Sequence, residues 1–203
     1  MNIVLMLGHK SLVGKDTAAN FLREIGYRRF AFADKLKSTV ADLYNFTNEQ
    51  MHGEEKDILD KRYNLTPRQI LQRFGQDQRA IYPDIWASYV FTQIEHSIFF
   101  SSSPDNLFCI TDFRFRNEYD VAMKWVSNYH HITGSKDPDV LIENPTVIVP
   151  VKIERNVIAK SGSNDISEHD LDEFDHWSYV VDNNFSLAEL RETVLDINDV
   201  IHL

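Results

Sequence analysis

The chain has 203 residues, enough for one domain with a substantial core, and its 43% apolar, 12% aromatic and 26% charged residues are those of a globular protein rather than a disordered one. No apolar run approaches the ~20 residues that span a bilayer, and the apolar start lacks the basic flank and small-residue cleavage site of a signal peptide. Acidic side chains outnumber basic ones by 31 to 21; the net charge of −10 disfavours a polyanion over most of the surface but permits a small anion in a locally basic pocket.

In chain order, residues 2–7 read as a buried strand. Residues 16–25 form an amphipathic helix with Ala18, Ala19, Phe21, Leu22 and Ile25 on its apolar positions and Gly26 as its stop. A short strand over 28–32 leads into a helix over 33–44, and the polar stretch 48–64 reads as a mobile excursion. Helices are predicted over 66–79 and 84–99, with a turn over 101–106. A buried strand over 107–111 ends at Asp112 and precedes a helix over 115–126. Residues 146–153 make a β-branched strand. The run 161–176 has six acidic residues and no Lys or Arg, and reads as a solvated loop or helix face. A last strand over 179–181 and a helix over 187–201 close the chain.

Strands alternating with amphipathic segments predict a parallel sheet covered by helices, in one α/β domain without repeats or linker. The single cysteine, Cys109, lies in an apolar run and is expected to be buried and inert, in keeping with a cytoplasmic protein. None of the eight histidines has metal-ligand spacing, so no zinc site is expected.

The chemistry begins at Gly14-Lys15-Asp16-Thr17, directly after the first strand. A loop between a strand and a helix N-terminus presents backbone N–H groups and the positive helix end to an anion. A lysine at the loop's end adds charge to the β- and γ-phosphates, and an adjacent hydroxyl serves Mg²⁺. The match to G-x-x-x-x-G-K-[ST] has two departures. His9 stands at the leading glycine position, with Gly8 just before it, and Asp16 replaces the usual Ser/Thr, with the hydroxyl one place later at Thr17. Altered loop geometry is therefore expected at His9. Mg²⁺ is held by Asp16, through water, by Thr17, or mostly by the nucleotide.

Several further segments accompany this loop: Phe32-Ala33-Asp34-Lys35-Leu36-Lys37, Thr66-Pro67-Arg68-Gln69-Ile70-Leu71-Gln72, Phe74-Gly75-Gln76-Asp77-Gln78-Arg79 with Trp86, Asp112-Phe113-Arg114-Phe115-Arg116-Asn117-Glu118, Ser167-Glu168, and Asp182-Asn183. With them the chain resembles the deoxynucleoside monophosphate kinases encoded by bacteriophages, a branch of the P-loop nucleotide kinases. The resemblance implies a three-layer α/β/α P-loop kinase fold with a mainly parallel sheet of about five strands. It implies one domain over 1–203, with an acceptor-binding insertion at about 45–100 and a lid-like segment at about 154–177. It also implies transfer of the γ-phosphoryl group of ATP to a deoxynucleoside monophosphate (dNMP).

Phosphoryl transfer needs cations and positioning around two phosphate groups. The loop residues Lys10, Ser11, Val13, Gly14, Lys15, Asp16 and Thr17 suit ATP. Arg68, Arg79 and Arg114 suit the acceptor phosphate, because guanidinium binds phosphate bidentately. Arg68 and Gln72 share a helix face, with Arg79 three turns on near the same side. Surface ion pairs are the plainer reading of any of these arginines, and of Arg73 and Arg116. Asp112, at a strand's carboxyl end, either holds a Mg²⁺-bound water and orders the acceptor arginines or caps the next helix. Asp34 either caps its helix or, with Lys37, meets the acceptor. Glu118 pairs with Arg114, and Trp86 either walls the acceptor base or is core. The resemblance implies that Asn183 meets adenine through its backbone and that Arg155 opens the lid, which closes through Arg155 and Lys160 alone or takes little part. The expected partners are ATP, Mg²⁺ and a dNMP, without stable nucleic acid or membrane; a homodimer is left open. Competing readings are a kinase for another acceptor, such as a modified base in DNA, and a degenerate nucleotide-binding module.

Overall fold

Every residue of β1 (Asn2–Gly8) is buried, as a central strand covered on both faces requires. The computed structural model describes residues 1–133, 145–156 and 166–202. Around β1 lie β2 (Arg28–Phe30), β3 (Asn106–Phe113), β4 (Thr146–Glu154) and β5 (Tyr179–Asp182), in the order β2-β3-β1-β4-β5. All four pairings are parallel, so the expected five-stranded α/β sheet is found and is wholly parallel.

Alternation along β1 sorts its side chains into two layers. Ile3, Leu5 and Leu7 pack with Ala18, Ala19 and Leu22 of α1 (Lys15–Glu24) and with Leu190, Val194 and Ile197 of α7 (Leu187–Ile201). Val4 and Met6, equally buried, point to the other face. There α6 (Arg116–Thr133) packs on β4 through a buried side that includes Ala122. Phe91, from α5 (Ile85–Phe99), stacks on Trp125 of α6 at 5.2 Å between ring centroids.

The strand order carries the chain from β1 over β3 to β2, and from β3 over β1 to β4. These connections leave β1 and β3 in opposite directions, which opens a crevice outside their carboxyl ends. The β1–β3 ladder has an irregularity just there. Met6 pairs with Ile110 and Gly8 with Phe113, so Thr111 and Asp112 together face Leu7 alone. This extends the strand beyond the predicted 107–111 and puts Asp112 inside β3. It also excludes Asp112 as cap of the next helix, which starts only at Arg116.

At the opposite end of the sheet, Arg28 donates to Asn106 Oδ1 (2.9 Å), Asn106 Nδ2 to Asn2 Oδ1 (3.0 Å) and Asn2 Nδ2 to Thr146 Oγ1 (3.1 Å). This polar ladder crosses four strands. Cys109 is fully buried, and burial pushes its thiol up to about 12, as an inert core cysteine requires.

The described chain divides into two units, Met1–Ala31 with Val90–Leu203, and Phe32–Tyr89. The first contains the sheet. The second contains α2 (Phe32–Tyr44), α3 (Asn48–His52), α4 (Pro67–Ile81) and the start of α5, around Val40, Phe46, Met51 and Ile70. The insertion expected at about 45–100 overlaps this unit.

The stretch 48–64, expected to be a mobile excursion, is organised. Thr47 and Gln50 form a capping box on α3, a 3₁₀ turn covers Glu54–Asp57, and Asp60 bridges Leu65. Arg62 holds Asp60 through Nε and a terminal nitrogen and lies 5.6 Å over Phe46 and 5.1 Å over Tyr63. A second capping box, Thr66 with Gln69, starts α4.

The acidic run is also more than a solvated face. Leu171 and Phe174 are buried, and Phe174 meets Phe113, Tyr119 and Trp177 at centroid distances of 4.8 to 5.3 Å. Positions 161–165 of that run, and Lys160, lie outside the described residues.

Candidate active site

The loop leaving β1 reaches α1 by way of three residues with left-handed φ: His9 at 86°, Leu12 at 62° and Gly14 at 104°. The altered geometry expected at His9 is thus a histidine holding the backbone conformation that glycine adopts most easily. Gly8 answers a different need, since a Cβ there would stand 2.6 Å from Trp177 and 2.7 Å from Phe113. No side chain caps α1 at Gly14, so its first turn is open to an anion.

Lys15, 6% exposed, donates from Nζ to the carbonyl of His9 (3.1 Å) and to that of Lys10. Burial and the nearby Arg114 push it down to about 8, against the opposing influence of Glu168, Asp112 and Asp16. The loop lysine, both carboxylates predicted for the metal and the predicted acceptor arginine are therefore gathered at one place. Thr17, half-buried, follows on the first turn of α1 beside the exposed Asp16.

Arg114 leaves the end of β3 in a turn fixed by Glu118. The Glu118 carboxylate, 3% exposed, accepts the backbone N–H of Arg114 (2.9 Å) and of Phe115 (3.1 Å). The Glu118 carboxylate thus meets Arg114 through its backbone N–H. The Arg114 guanidinium instead donates to Glu168 Oε1 at 2.5 Å. Glu168 also accepts Ser11 N–H (3.0 Å) and the Ser11 hydroxyl (2.5 Å). Burial raises the Glu168 carboxyl, but Ser11 and Arg114 outweigh it and hold the group below its usual range.

Two more acidic residues from the same segment dock here. Asp172 meets Lys10 Nζ at 3.3 Å, and Asp170 accepts the Arg116 backbone N–H at 2.7 Å. Among the described residues, the buried His9 Nδ1 has no hydrogen-bond partner. Its ring is held below the usual histidine range by burial and by Lys152 and Lys10, against the opposing influence of Glu154 and Asp172.

Asn183, expected to offer backbone to adenine, is buried and uses its side chain on the loop. Its Nδ2 donates to Val13 O at 2.8 Å, while its N–H donates to Glu154 O at 2.7 Å. Arg155 is exposed just past β4.

The remaining predicted acceptor residues fall in the second unit. Asp34 and Lys37 line a cleft of about 360 Å³ with Phe46, Asn48, Met51 and His52, within the size range of small-molecule sites. Arg68, at the start of α4, holds Asp57 bidentately at 2.5 and 3.2 Å; Gln72 is exposed one turn on, and Arg79 is half-buried in the last turn. Arg68 therefore makes the surface ion pair that was its plainer reading. Trp86 is 6% exposed and donates to Gly75 O at 3.4 Å, which makes it core rather than an open wall for a base.

Sequence reasoning gave no role to Glu168, Asp172 or the Asn183 side chain. The Ser167-Glu168 pair lay among the resembling segments, but a carboxylate within a run of six carries no spacing signal of its own.

The parallel sheet carries a lysine-bearing loop at its crevice, an arrangement suited to binding phosphate. Over 210 residues the chain is 27% identical to a protein of Acanthamoeba polyphaga mimivirus named "Putative deoxynucleotide monophosphate kinase", spanning 98% of this chain and 97% of that one. The resemblance read from separate segments thus runs end to end along a viral relative. Among solved structures, the chain resembles dephospho-CoA kinase from Campylobacter jejuni (13% identity, TM-score 0.46, covering 98% and 96% of the two chains). It also resembles a protein of Chloroflexus aurantiacus titled a "putative kinase" (10% identity, TM-score 0.48, covering 99% and 96%). No family model matches the sequence. Among the described residues, no helix is long and apolar enough to cross a membrane.

Proposed function

We propose that this protein transfers the γ-phosphoryl group of ATP to a deoxynucleoside monophosphate, giving ADP and the diphosphate. The observation that carries the reading is the gathering of Lys15, Asp112 and Arg114 at the carboxyl ends of β1 and β3. The name of the mimivirus relative supports the choice of acceptor.

In this reading the loop amides and the first turn of α1 receive the β-phosphate. Lys15 turns from the carbonyls of His9 and Lys10 to the β- and γ-phosphates. Arg114 neutralises charge on the transferring group. An oxygen of the acceptor phosphate forms a bond to the γ-phosphorus as the bond to the β,γ-bridging oxygen breaks, and that electron pair leaves with ADP. The acceptor oxygen is already anionic, so no general base is required. Arg79, Gln72, Arg68, Asp34 and Lys37 are the candidates for holding the dNMP, with Glu118 acting through the Arg114 turn. Asn183 and Arg155 are the candidates on the adenine side.

Among the described residues no cluster of three or more His, Cys, Asp or Glu is arranged for a metal. The donor set near Lys15 is instead two carboxylates, Asp16 and Asp112, with the Thr17 hydroxyl nearby. This suits Mg²⁺, which takes one or two carboxylates and completes its shell with phosphates and water. When bound, Mg²⁺ would neutralise charge on the β- and γ-phosphates. The acidic protein is proposed to act in the cytoplasm on small molecules.

The test is ADP release, measured in a coupled assay with each of the four dNMPs. Turnover with at least one is expected, and no turnover with any would overturn the proposal. Lys15→Ala is expected to abolish both turnover and stabilisation by ATP. Stabilisation by ATP with no turnover would favour a binding module instead.

A further inference from the structure

The β1–β3 ladder ends at Gly8 and Phe113, so sheet hydrogen bonds between these strands do not fix the two segments beyond it. One carboxylate links them. Glu168 Oε2 accepts the Ser11 amide of the phosphate loop, and Oε1 accepts both the Ser11 hydroxyl and the Arg114 guanidinium. Side-chain exposure is 17% for Glu168 and 26% for Arg114, so water competes little for this contact.

Glu168 is itself held in place. Its segment is anchored by the buried Leu171 and Phe174, by Asp170 on Arg116 and by Asp172 on Lys10. Farther along, Glu173 and Asp175 are 95% and 85% exposed, so the acidic run splits into members that face the loop and members that face solvent.

We propose that Glu168 is a positioning residue for phosphoryl transfer, holding the Arg114 guanidinium at the rim of the phosphate loop where it meets the transferring group. The inference rests on the reading of the protein as a dNMP kinase. Glu168 acts through Arg114 and touches no substrate. Its negative charge opposes a polyphosphate, and Gln keeps an acceptor oxygen for the Ser11 amide, so neutralising it leaves ATP binding largely in place. What is lost is the fixed placement of a long, flexible cation, and that loss falls on the chemical step.

The experiment is a double-mutant cycle on E168Q and R114A, with E168D alongside, reading kcat and the KM for ATP with an accepted dNMP. E168Q is expected to lower kcat about 10- to 100-fold while the KM for ATP changes by less than about threefold. E168D, which keeps the charge, is expected to recover part of that loss. In the R114A background, E168Q is expected to lower kcat by less than about twofold further, because the two residues act as one unit. Melting curves check that each variant is folded; if E168Q is not, the cycle with E168D carries the same test. A wild-type kcat in E168Q, or losses that multiply in the double variant, overturn the positioning role. Wild-type protein inactive with every dNMP overturns the kinase reading and this inference with it. Active wild-type protein with multiplying losses overturns the positioning role alone.

Discussion

Asn183 and Val13, 170 residues apart in sequence, are joined by a 2.8 Å hydrogen bond from the asparagine side chain to the valine carbonyl. The bond ties the turn after β5 to the phosphate loop. It also explains Gly14 beyond its left-handed φ, because a Cβ there would stand 2.3 Å from Asn183 Nδ2.

Asn183→Ala is expected to leave the Val13 carbonyl unpaired in a buried setting, at a cost of about 1–3 kcal/mol in stability. Gly14→Ala is expected to be at least as harmful, since it adds a clash to a strained φ. Melting temperatures with and without ATP are the measurement. Both variants should also lose much of the stabilisation by ATP, because the loop amides are no longer held in place.

The position of Lys15 predicts two opposite dependences on pH. Its pKa is about 8 in the folded chain, against the ordinary 10.5 expected unfolded. Between those values the unfolded chain binds more protons, so the stability of the ligand-free protein should gain a contribution as pH rises through that window. ATP binding needs the protonated lysine, so affinity should fall as pH rises above about 8. Calorimetric titration from pH 7 to 9.5 checks the second slope. Lys15→Met should flatten both.

His9 has φ of 86°, which glycine tolerates and β-branched residues resist. His9→Gly should therefore retain stabilisation by ATP. Relative to His9→Gly, His9→Ile should lose roughly 1–2 kcal/mol of stability, the cost of a left-handed conformation. Comparable denaturation midpoints for the two variants would remove this account of the loop.

Far from the phosphate loop, Asn2→Ala breaks the polar ladder at the base of the sheet. It leaves Asn106 Nδ2 and Thr146 Oγ1 without their shared partner. The expected cost is about 2 kcal/mol in urea unfolding, with kcat unchanged at temperatures where the variant is folded.

Much of the sheet was legible because β1 and β3 are short, nearly continuous apolar runs bounded by turn residues, which marks buried strands. The phosphate loop was legible from Gly14-Lys15 and the strand before it. What escaped was set by side-chain contacts that composition does not show. The order in 48–64 depends on Arg62 reaching Asp60, Phe46 and Tyr63, which a local count of polar residues reads as disorder. The buried side of 166–176 depends on Phe174 meeting the Phe113 ring, and the five carboxylates of that stretch mask it. Asp112 was placed one residue past its strand because pattern alone does not show two residues facing Leu7. Glu168 was passed over because its partners lie 157 and 54 positions away.

That extra residue in β3 bears on how the sequence can change. Phe113 sits opposite Gly8, where a ladder without the irregularity would place Asp112, and its ring is buried against Phe174 and Trp177. The sheet thus carries one residue of the Thr111-Asp112 pair as a surplus, and the strand beyond it stays in step. Shortening β3 by one residue there would restore an even ladder and keep the core in register.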